Sequence, residues 1–495
     1  MTTQGRPDRA AGGITRRSVL TALGYLGIGS LLAGCATPRR DATWRLHGEG
    51  VVVHATDADF ETWRRAMPWQ GWVAARRPEC IARPADHAQL WEALQHARRH
   101  GLRVAIKSGG HNVSEAFLRE GGMLLDLHHF NGVEVDAATA SATVEPALWG
   151  RDLSLHLSEA GLAFPVAHCA TVPMGGYLLG GGVGINTDQW GIGCHGVTGA
   201  EVMLADGTKV EAGSPGHEDL LWAVRGAGTG FFGVVTKYRL HCAALPRDIR
   251  ENVFVFPAAR VADVVQWLEA LVEDGMPDTE VMLLLANSPG PAPGAPPVTL
   301  CIARVVLFCD SESASRERLS RVLAGPMAAQ ALFKETMKPA TIDGLMIGSV
   351  DAARGLGFGR SHVNTIWTAR TAEAATAAAA QVSRAPSPKS HAVISLRKHT
   401  ARRGDACFSA LDRGFVGCYG VWDKASDDAA NIAWSEGSRE ALQPYASGNY
   451  INELDAFRRP DLLKNAFTAE AFTRLQALRK RYDPQGVFHD FPGLS

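Results

Sequence analysis

The chain has 495 residues, a formal net charge of -1, 46% hydrophobic residues and 20% charged residues. This balance is that of a globular protein, and it excludes a disordered chain and a nucleic-acid binder that depends on a broad basic surface. Glycine is abundant, at 52 residues, but shows no Gly-X-Y period, which excludes a collagen. The length predicts about three units of about 150 residues each.

The first 34 residues predict an export signal. Arg16 and Arg17 stand before the uncharged stretch 19–34, which is shorter than the about 20 apolar residues of a spanning helix. The paired arginines resemble a twin-arginine export signal, and the Leu-Ala-Gly-Cys sequence ending at Cys35 resembles the lipobox of bacterial lipoproteins. We therefore expect twin-arginine export and a lipid on Cys35, on the periplasmic or cell-surface side of a membrane. The alternative is a plain cleaved leader with an incidental cysteine.

The nine cysteines contain no C-x-x-C pair, which disfavours a zinc ribbon or a thioredoxin-type motif. Export would permit disulfides, but the sequence does not specify how the cysteines pair. We expect no metal site.

Residues 76–245 predict short strands that alternate with helices and glycine-rich turns. Asp86 is the predicted N-cap of a helix over 87–100 with Leu90 and Trp91 on its apolar face. A hairpin turn at Asp206-Gly207 is expected as well. The other predicted elements are strands at 79–84, 104–106, 123–127, 133–135, 201–204, 209–211 and 234–238 and a helix at 150–160.

The composition changes near Pro246. Alternating segments then predict strands and 3.6-residue spacing predicts helices, which together indicate an α+β region with an antiparallel sheet covered by helices. These elements are strands at 251–257, 299–308, 392–397 and 415–422, helices at 259–273 and 372–380, and a Pro/Gly loop at 288–297. A final amphipathic helix is expected over 469–482, ending at Asp483-Pro484.

Three glycine-rich turns, at 107–112, 175–184 and 226–233, lie within the first of these regions. Glycine allows backbone N–H groups to approach an anion, and consecutive amides form phosphate-binding nests. One such turn alone is equally well explained as a tight turn, whereas three beside short strands favour a large phosphorylated cofactor. Residues 228–233 match G-x-G-x-x-G, but β-branched residues follow them, so we expect a strand there and not a Rossmann helix.

Four segments carry a family resemblance by their order and spacing. They are Lys107-Ser108-Gly109-Gly110-His111-Asn112, residues 169–184, residues 225–236, and Tyr450-Ile451-Asn452 with Tyr482-Asp483-Pro484. Together they resemble the vanillyl-alcohol-oxidase-type fold with a PCMH-type FAD-binding domain, and within it the berberine-bridge-enzyme-like oxidases. The resemblance implies an α+β protein with two α/β subdomains around FAD and a separate substrate domain.

The resemblance also implies an organisation along the chain. A signal at 1–34 and a linker at 35–75 precede the FAD-binding domain at 76–245. A substrate-binding domain follows at 246–446, and a C-terminal segment at 447–495 returns to the flavin domain.

The cofactor that the resemblance implies is FAD. In the family, backbone amides of the turn matching 107–112 wrap the pyrophosphate, and its histidine, here His111, is bonded covalently to the flavin. The cysteine matching Cys169 makes a second bond in the doubly attached members. The alternatives are a hydrogen-bonding turn residue for His111 and a free or disulfide-bonded thiol for Cys169. Further residues expected at the cofactor are Val172, Gly175, Gly176, Gly180, Gly181, Gly182, Gly184, Val234, Val235 and Asn452.

The resemblance implies two catalytic features. A valine at the position of Val172 leaves room for oxygen beside the flavin, which favours an oxidase. Tyr450 can take a proton from the substrate if its neighbours lower its pKa from the usual value of about 10. Glu453 stands where many plant relatives have a second tyrosine, so Glu453 or Asp455 can assist or replace Tyr450.

These features predict an FAD-dependent oxidase that takes a hydride from a C–OH or C–NH group and reduces O2 to H2O2. The substrate is a small molecule: a sugar or oligosaccharide, an aromatic alcohol or a cyclic amine. The alternatives are a dehydrogenase of the same fold that reduces a quinone or protein, and a non-catalytic ligand-binding lipoprotein. We expect no nucleic-acid partner, and membrane contact only through the lipid on Cys35.

Overall fold

The computed structural model describes residues 43–494 except for 275, 277, 290–296, 347–358 and 399–402. The predicted leader, Cys35 and most of the Pro/Gly loop lie outside the described residues. The strands are β1 Val51–His54, β2 Cys80–Arg83, β3 Val104–Lys107, β4 Met123–Asp126, β5 Val133–Asp136, β6 Ser141–Val144, β7 Leu162–Ala163, β8 Val197–Met203, β9 Lys209–Ala212, β10 Val234–His241, β11 Ala243–Ala244, β12 Asp248–Pro257, β13 Thr279–Ser288, β14 Val298–Cys309, β15 Phe333–Pro339, β16 Arg360–Thr368, β17 His391–Leu396 and β18 Gly414–Trp422. The helices are α1 Phe60–Arg65, α2 His87–Arg99, α3 Gly150–Glu159, α4 Met174–Leu179, α5 Thr187–Trp190, α6 Glu218–Val224, α7 Val261–Glu273, α8 Glu312–Ala324, α9 Thr371–Val382, α10 Asp428–Leu442 and α11 Ala469–Tyr482.

Two sheets are built from the first half of the chain. The first has the order β1-β2-β4-β3, with β2, β4 and β3 parallel, and the second has the antiparallel order β5-β6-β10-β8-β9. Helix α2 packs its Leu90, Leu94 and Ala97 side chains into the core of the first sheet. Its N-cap is Asp86, whose carboxylate accepts from the backbone N of Gln89, as the sequence predicts.

The prediction for Trp91 is wrong, because its side chain is 50% exposed. The ring instead lies against the hairpin turn between β8 and β9, where a side chain on Gly207 would collide with it. Trp91 therefore covers the neighbouring turn and takes no part in the apolar face of α2.

A seven-stranded antiparallel sheet is built from residues 248–422, in the order β15-β12-β14-β13-β17-β18-β16. One face is covered by α7, α8, α9 and α10, and its alternate side chains, such as Leu283, Ile394 and Val416, are fully buried there. The other face, which we call the open face, carries the cross-strand neighbours Met282, Ser395, Phe415, Trp367 and Tyr419. Cross-strand partners point to the same side of a sheet, so the register alone assigns these side chains to one surface.

The α+β class with antiparallel sheets is confirmed. The predicted boundaries at 245/246 and 446/447 stay predictions. Among the helices that the structure describes, none combines the length and the hydropathy that a bilayer crossing requires.

Candidate active site

The turn after β3 holds three consecutive backbone N–H groups without an acceptor. The amides of Gly109, Gly110 and His111 donate to no group that the structure describes. Gly110 has φ of +81°, and a Cβ atom there would lie 2.1 Å from the carbonyl oxygen of Met67, so only glycine fits. Free consecutive amides form an anion-binding nest, which suits the pyrophosphate of FAD.

Lys107 supports this turn from its base. Its Nζ lies 3.0 Å from Oδ1 of the fully buried Asp126, which also pairs with Arg83. Burial raises the pKa of the Asp126 carboxyl, but the two cations outweigh burial and the pKa is lowered. The Lys107 side chain therefore binds Asp126, and the predicted contact of Lys107 with the cofactor would come from its backbone.

The second glycine run lies directly against the first turn. Oγ of Ser108 is 3.4 Å from the backbone N of Gly176, and a Cβ atom on Gly176 would meet nothing nearer than this Oγ at 3.9 Å. Gly176 is exposed, so open space lies beside the free amides of the turn. We call residues 108–111 and 174–184 the glycine cradle. Its remaining predicted cofactor residues Gly175, Gly181, Gly182 and Gly184 are buried.

The C-terminal segment is fixed onto the glycine cradle by Asn452. A Cβ atom on Gly180 would lie 1.9 Å from Oδ1 of Asn452, so this approach requires glycine. Nδ2 of Asn452 donates to the carbonyl of Tyr177 at 3.3 Å, and Nδ2 of Asn112 donates to the carbonyl of Asn452 at 3.3 Å. Asn112 and Asn452 therefore lie together, and their contact with the cofactor stays a prediction.

The third glycine run and the predicted residues of β10 have different surroundings. Val234 and Val235 are buried in β10, and their side chains belong to two apolar clusters. In the third glycine run, Gly228 faces the Ile451 side chain and Gly230 faces the Phe491 ring. The turn that holds these two glycines also contacts helix α4 of the glycine cradle. This run therefore contacts both the cradle and the C-terminal segments.

His111 and Cys169 meet at Thr171. Nε2 of His111 lies 3.1 Å, and Sγ of Cys169 lies 3.8 Å, from Oγ1 of Thr171. Burial and the nearby Lys107 lower the pKa of His111 to about 3, so its imidazole is neutral and keeps a nitrogen lone pair. Burial raises the pKa of the Cys169 thiol, and its hydrogen bonds with Thr171 oppose this shift.

Val172 follows this cluster directly. Its side chain is half-buried and packs against the main apolar cluster, and its carbonyl accepts from the backbone N of Gly150 at 2.9 Å. Val172 is three residues after Cys169 in the sequence, and its role toward oxygen stays a prediction.

The Tyr450 hydroxyl oxygen accepts three N–H groups. The donors are the backbone amides of Gly182 and Val183, at 3.3 and 3.2 Å, and Nδ2 of Asn452 at 3.2 Å. Such donors favour a phenolate, but burial outweighs them and raises the pKa of Tyr450 to about 12. The hydroxyl is therefore held in place and protonated at neutral pH.

Glu453 contacts the open face through Tyr419, whose hydroxyl donates to Oε2 of Glu453 at 3.0 Å. Burial raises the pKa of Glu453 to about 7, although the hydrogen bond from Tyr419 opposes it. A carboxylate that titrates near neutral pH is suited to general-base chemistry.

Sequence reasoning missed Thr171, Tyr419, Glu280 and Arg397. Thr171 lies inside the 169–184 segment that carries the family resemblance. Tyr419 lies on the same side of a predicted strand as Phe415. The sequence around each of them could therefore have marked it as a candidate. Glu280 is the second residue of β13, a strand that was not predicted, and it binds Nε2 of His168 at 3.2 Å. Arg397 follows β17, and nothing in its neighbourhood of sequence marks it as special.

The chain is similar to known proteins in sequence and in fold. Residues 78–213 match the family model of the FAD binding domain. The chain is 25% identical to the FAD-linked oxidoreductase nodO of Hypoxylon pulicicidum, over 86% of this chain and 93% of that protein. It is 30% identical to the (R)-6-hydroxynicotine oxidase of Paenarthrobacter nicotinovorans, over 46% and 48% of the two chains. Its fold is similar to that of berberine bridge enzyme from Eschscholzia californica, with a TM-score of 0.75, 18% identity and coverage of 91% and 98%.

Proposed function

Because FAD-linked oxidoreductases are among the relatives of this chain and its fold is similar to that of berberine bridge enzyme, we propose that it is an oxidase with FAD attached through both His111 and Cys169. It takes a hydride from a C–OH or C–NH group of a small molecule and reduces O2 to H2O2. The observation that carries the proposal is the convergence of the His111 imidazole and the Cys169 thiol on the Thr171 hydroxyl.

The glycine cradle supplies the groups that hold FAD. The free amides of Gly109, Gly110 and His111 bind the pyrophosphate, and the space outside Gly176 admits it. Bound FAD supplies the hydride acceptor and the route of electrons to oxygen. The neutral His111 ring offers the nitrogen for the first attachment.

The substrate proton passes to a side chain of the protein. Glu453 has a pKa of about 7 and holds a proton reversibly at neutral pH, whereas burial keeps Tyr450 protonated. We assign the base to Glu453, and to Tyr450 the task of orienting the substrate heteroatom with a hydroxyl that three donors hold in place.

Acid precipitation and intact mass of the purified protein test the attachment. Yellow colour in the denatured pellet and a mass increase equal to FAD are expected. His111→Ala should keep flavin bound through Cys169, Cys169→Ala should keep it through His111, and the double variant should lose it on denaturation. A colourless pellet from the unaltered protein would refute covalent FAD and favour the ligand-binding lipoprotein.

Rapid mixing of the reduced protein with oxygen separates an oxidase from a dehydrogenase. The oxidase reading requires reoxidation fast enough to support turnover, and Val172→Leu should slow it by filling the space near the flavin. Reoxidation by a quinone but not by oxygen would favour the dehydrogenase. The (R)-6-hydroxynicotine oxidase among the relatives supports the oxidase reading.

We also propose export by the twin-arginine route with a lipid on Cys35, on the support of the sequence pattern at 16–35. Metabolic labelling with a lipid precursor should mark the unaltered chain and fail in Cys35→Ala. Equal labelling of both would contradict the anchor.

A further inference from the structure

A buried cation on the open face, Arg397, has two hydrogen-bond donors without an acceptor among the described residues. Arg397 is 5% exposed, and its Nε and Nη1 atoms form no hydrogen bond with the residues that the structure describes. Its Nη2 donates to Oγ of Ser395 at 3.2 Å, and its guanidinium lies 4.8 Å from the centre of the Trp367 ring. A buried guanidinium with unused donors is costly unless an anion or another acceptor completes it.

The nearest carboxylates are engaged elsewhere. Glu280 and Arg397 each lie one residue beyond the paired positions Val281 and Leu396, and Glu280 binds His168 at 3.2 Å and the backbone N of Asn186 at 2.5 Å. Asp188 accepts from the backbone N of Lys398 at 3.0 Å. Both acids contribute negative potential at Arg397, and its Nε and Nη1 atoms still have no hydrogen-bond partner among the described residues.

The surroundings of Arg397 belong to the proposed substrate site. The Trp367 ring, over which the Arg397 guanidinium lies, also makes an edge contact with the Tyr450 ring, at 6.0 Å between centres. Met282 and Phe415 are the cross-strand neighbours of Ser395, so apolar side chains flank the cation. This is a setting for a molecule with an apolar body and one anionic end.

We propose that Arg397 binds a carboxylate of the substrate, whose apolar body lies on the open face between Arg397 and Tyr450. The inference rests on the proposed function, since it assumes that the substrate occupies this face. A guanidinium presents its N–H groups in a planar fork that matches a carboxylate, and the free Nε and Nη1 supply these donors. A protonated cyclic amine is disfavoured here, because it would meet a like charge in a site shielded from water.

Matched acid and amide pairs test the proposal by isothermal titration calorimetry on the purified full-length protein. The probes are acetate with acetamide, benzoate with benzamide, and cyclohexanecarboxylate with its amide. At least one acid should bind on the order of 10- to 100-fold more tightly than its amide, as expected of a charged hydrogen bond. No preference for the acid in any pair, including no binding at all, would overturn the proposal.

Variants assign the preference to Arg397. Arg397→Met should abolish it without lowering the thermal midpoint, and Arg397→Lys should keep part of it. Arg316→Met, which removes an exposed arginine on α8, is the control and should keep all of it. If Arg397→Met does not fold, Arg397→Lys and the unaltered protein decide. A visible flavin spectrum changed by Arg397→Met with an unchanged acid preference would show that the guanidinium serves the flavin, which overturns the proposal.

Failure of the proposed function is recognised separately. A colourless protein would contradict FAD binding, yet calorimetry would still report whether Arg397 selects carboxylates. A yellow protein without acid preference would contradict the present inference alone.

Discussion

The glycine cradle and the open face form two sides of one candidate site, but the cradle presents mainly backbone groups and the open face presents side chains. The cradle presents backbone amides from two segments, and Lys107 at its base binds Asp126. The open face presents side chains from the three consecutive strands β16, β17 and β18 and from the residue after β17, such as Trp367, Arg397 and Tyr419. Under the proposed function, backbone shape recognises the cofactor and side-chain chemistry recognises the substrate.

The largest expected effect comes from Tyr450→Phe, at the boundary between the cradle and the open face. The flavin should stay bound, while anaerobic flavin reduction by a substrate from a peroxide-coupled screen slows by about 100- to 1,000-fold, the usual worth of a hydrogen-bond donor positioned on a reacting heteroatom. Stopped-flow absorbance measures the rate. Unchanged reduction would remove Tyr450 from the chemistry and leave it a structural role.

At the base of the cradle, Asp126→Asn should cost about 3–5 kcal/mol of unfolding free energy, because it leaves Lys107 buried without its partner. Denaturant unfolding measures this cost, and flavin content should fall as well. Asp423→Asn, in the exposed Lys389 pair, is the matched control and should cost less than about 1 kcal/mol. Since the native pKa of Asp126 is lowered, its contribution is present above the unfolded pKa of about 3.9 and is lost in acid. Equal losses in the two variants would contradict a special role for the buried pair.

Gly180→Ala tests the close approach between the cradle and the C-terminal segment. The added methyl collides with Asn452, so we expect a loss of about 1–3 kcal/mol by thermal or denaturant unfolding, with weaker flavin retention. Gly437→Ala, in α10 with nothing within 4 Å, should instead gain about 1 kcal/mol. An unchanged free energy of unfolding in Gly180→Ala would show that the two segments move apart without cost.

Glu453 should impose a pH dependence on substrate oxidation. Its carboxylate is the active form, so kcat/KM should rise with pH through about 7, and Glu453→Gln should lower the rate and remove this limb. The same raised pKa means that stability falls as pH rises from the unfolded value of about 4.3 toward 7. A limb that persists in Glu453→Gln would assign it to another group.

The smallest expected effect comes from the open face, in Tyr419→Phe. Loss of its hydrogen bond to Glu453 should raise the pKa of that carboxyl and move the pH limb upward by about one unit or less. The shift is read from kcat/KM against pH, with flavin content unchanged. A downward shift would contradict the donor role of Tyr419.

Much of the fold was accessible from local pattern. Helices 87–99, 261–273 and 469–482 were predicted closely because capping and apolar spacing are local properties. Strand Thr279–Ser288 was missed, since a continuous apolar run does not distinguish a strand from a helix. Helix Glu312–Ala324 was missed because its residues are mostly polar.

The sequence by itself determined the FAD-binding class, the glycine turns and the candidate attachment residues His111 and Cys169, because these depend on short segments with their own backbone requirements. Only the tertiary structure decided that Thr171 joins them, that Glu453 meets Tyr419, and that Arg397 is buried with two donors unused among the described residues. Burial, pKa and unmet hydrogen bonds arise where distant strands pack together. No local pattern encodes that packing, so the chemistry of the open face emerges only in the folded chain.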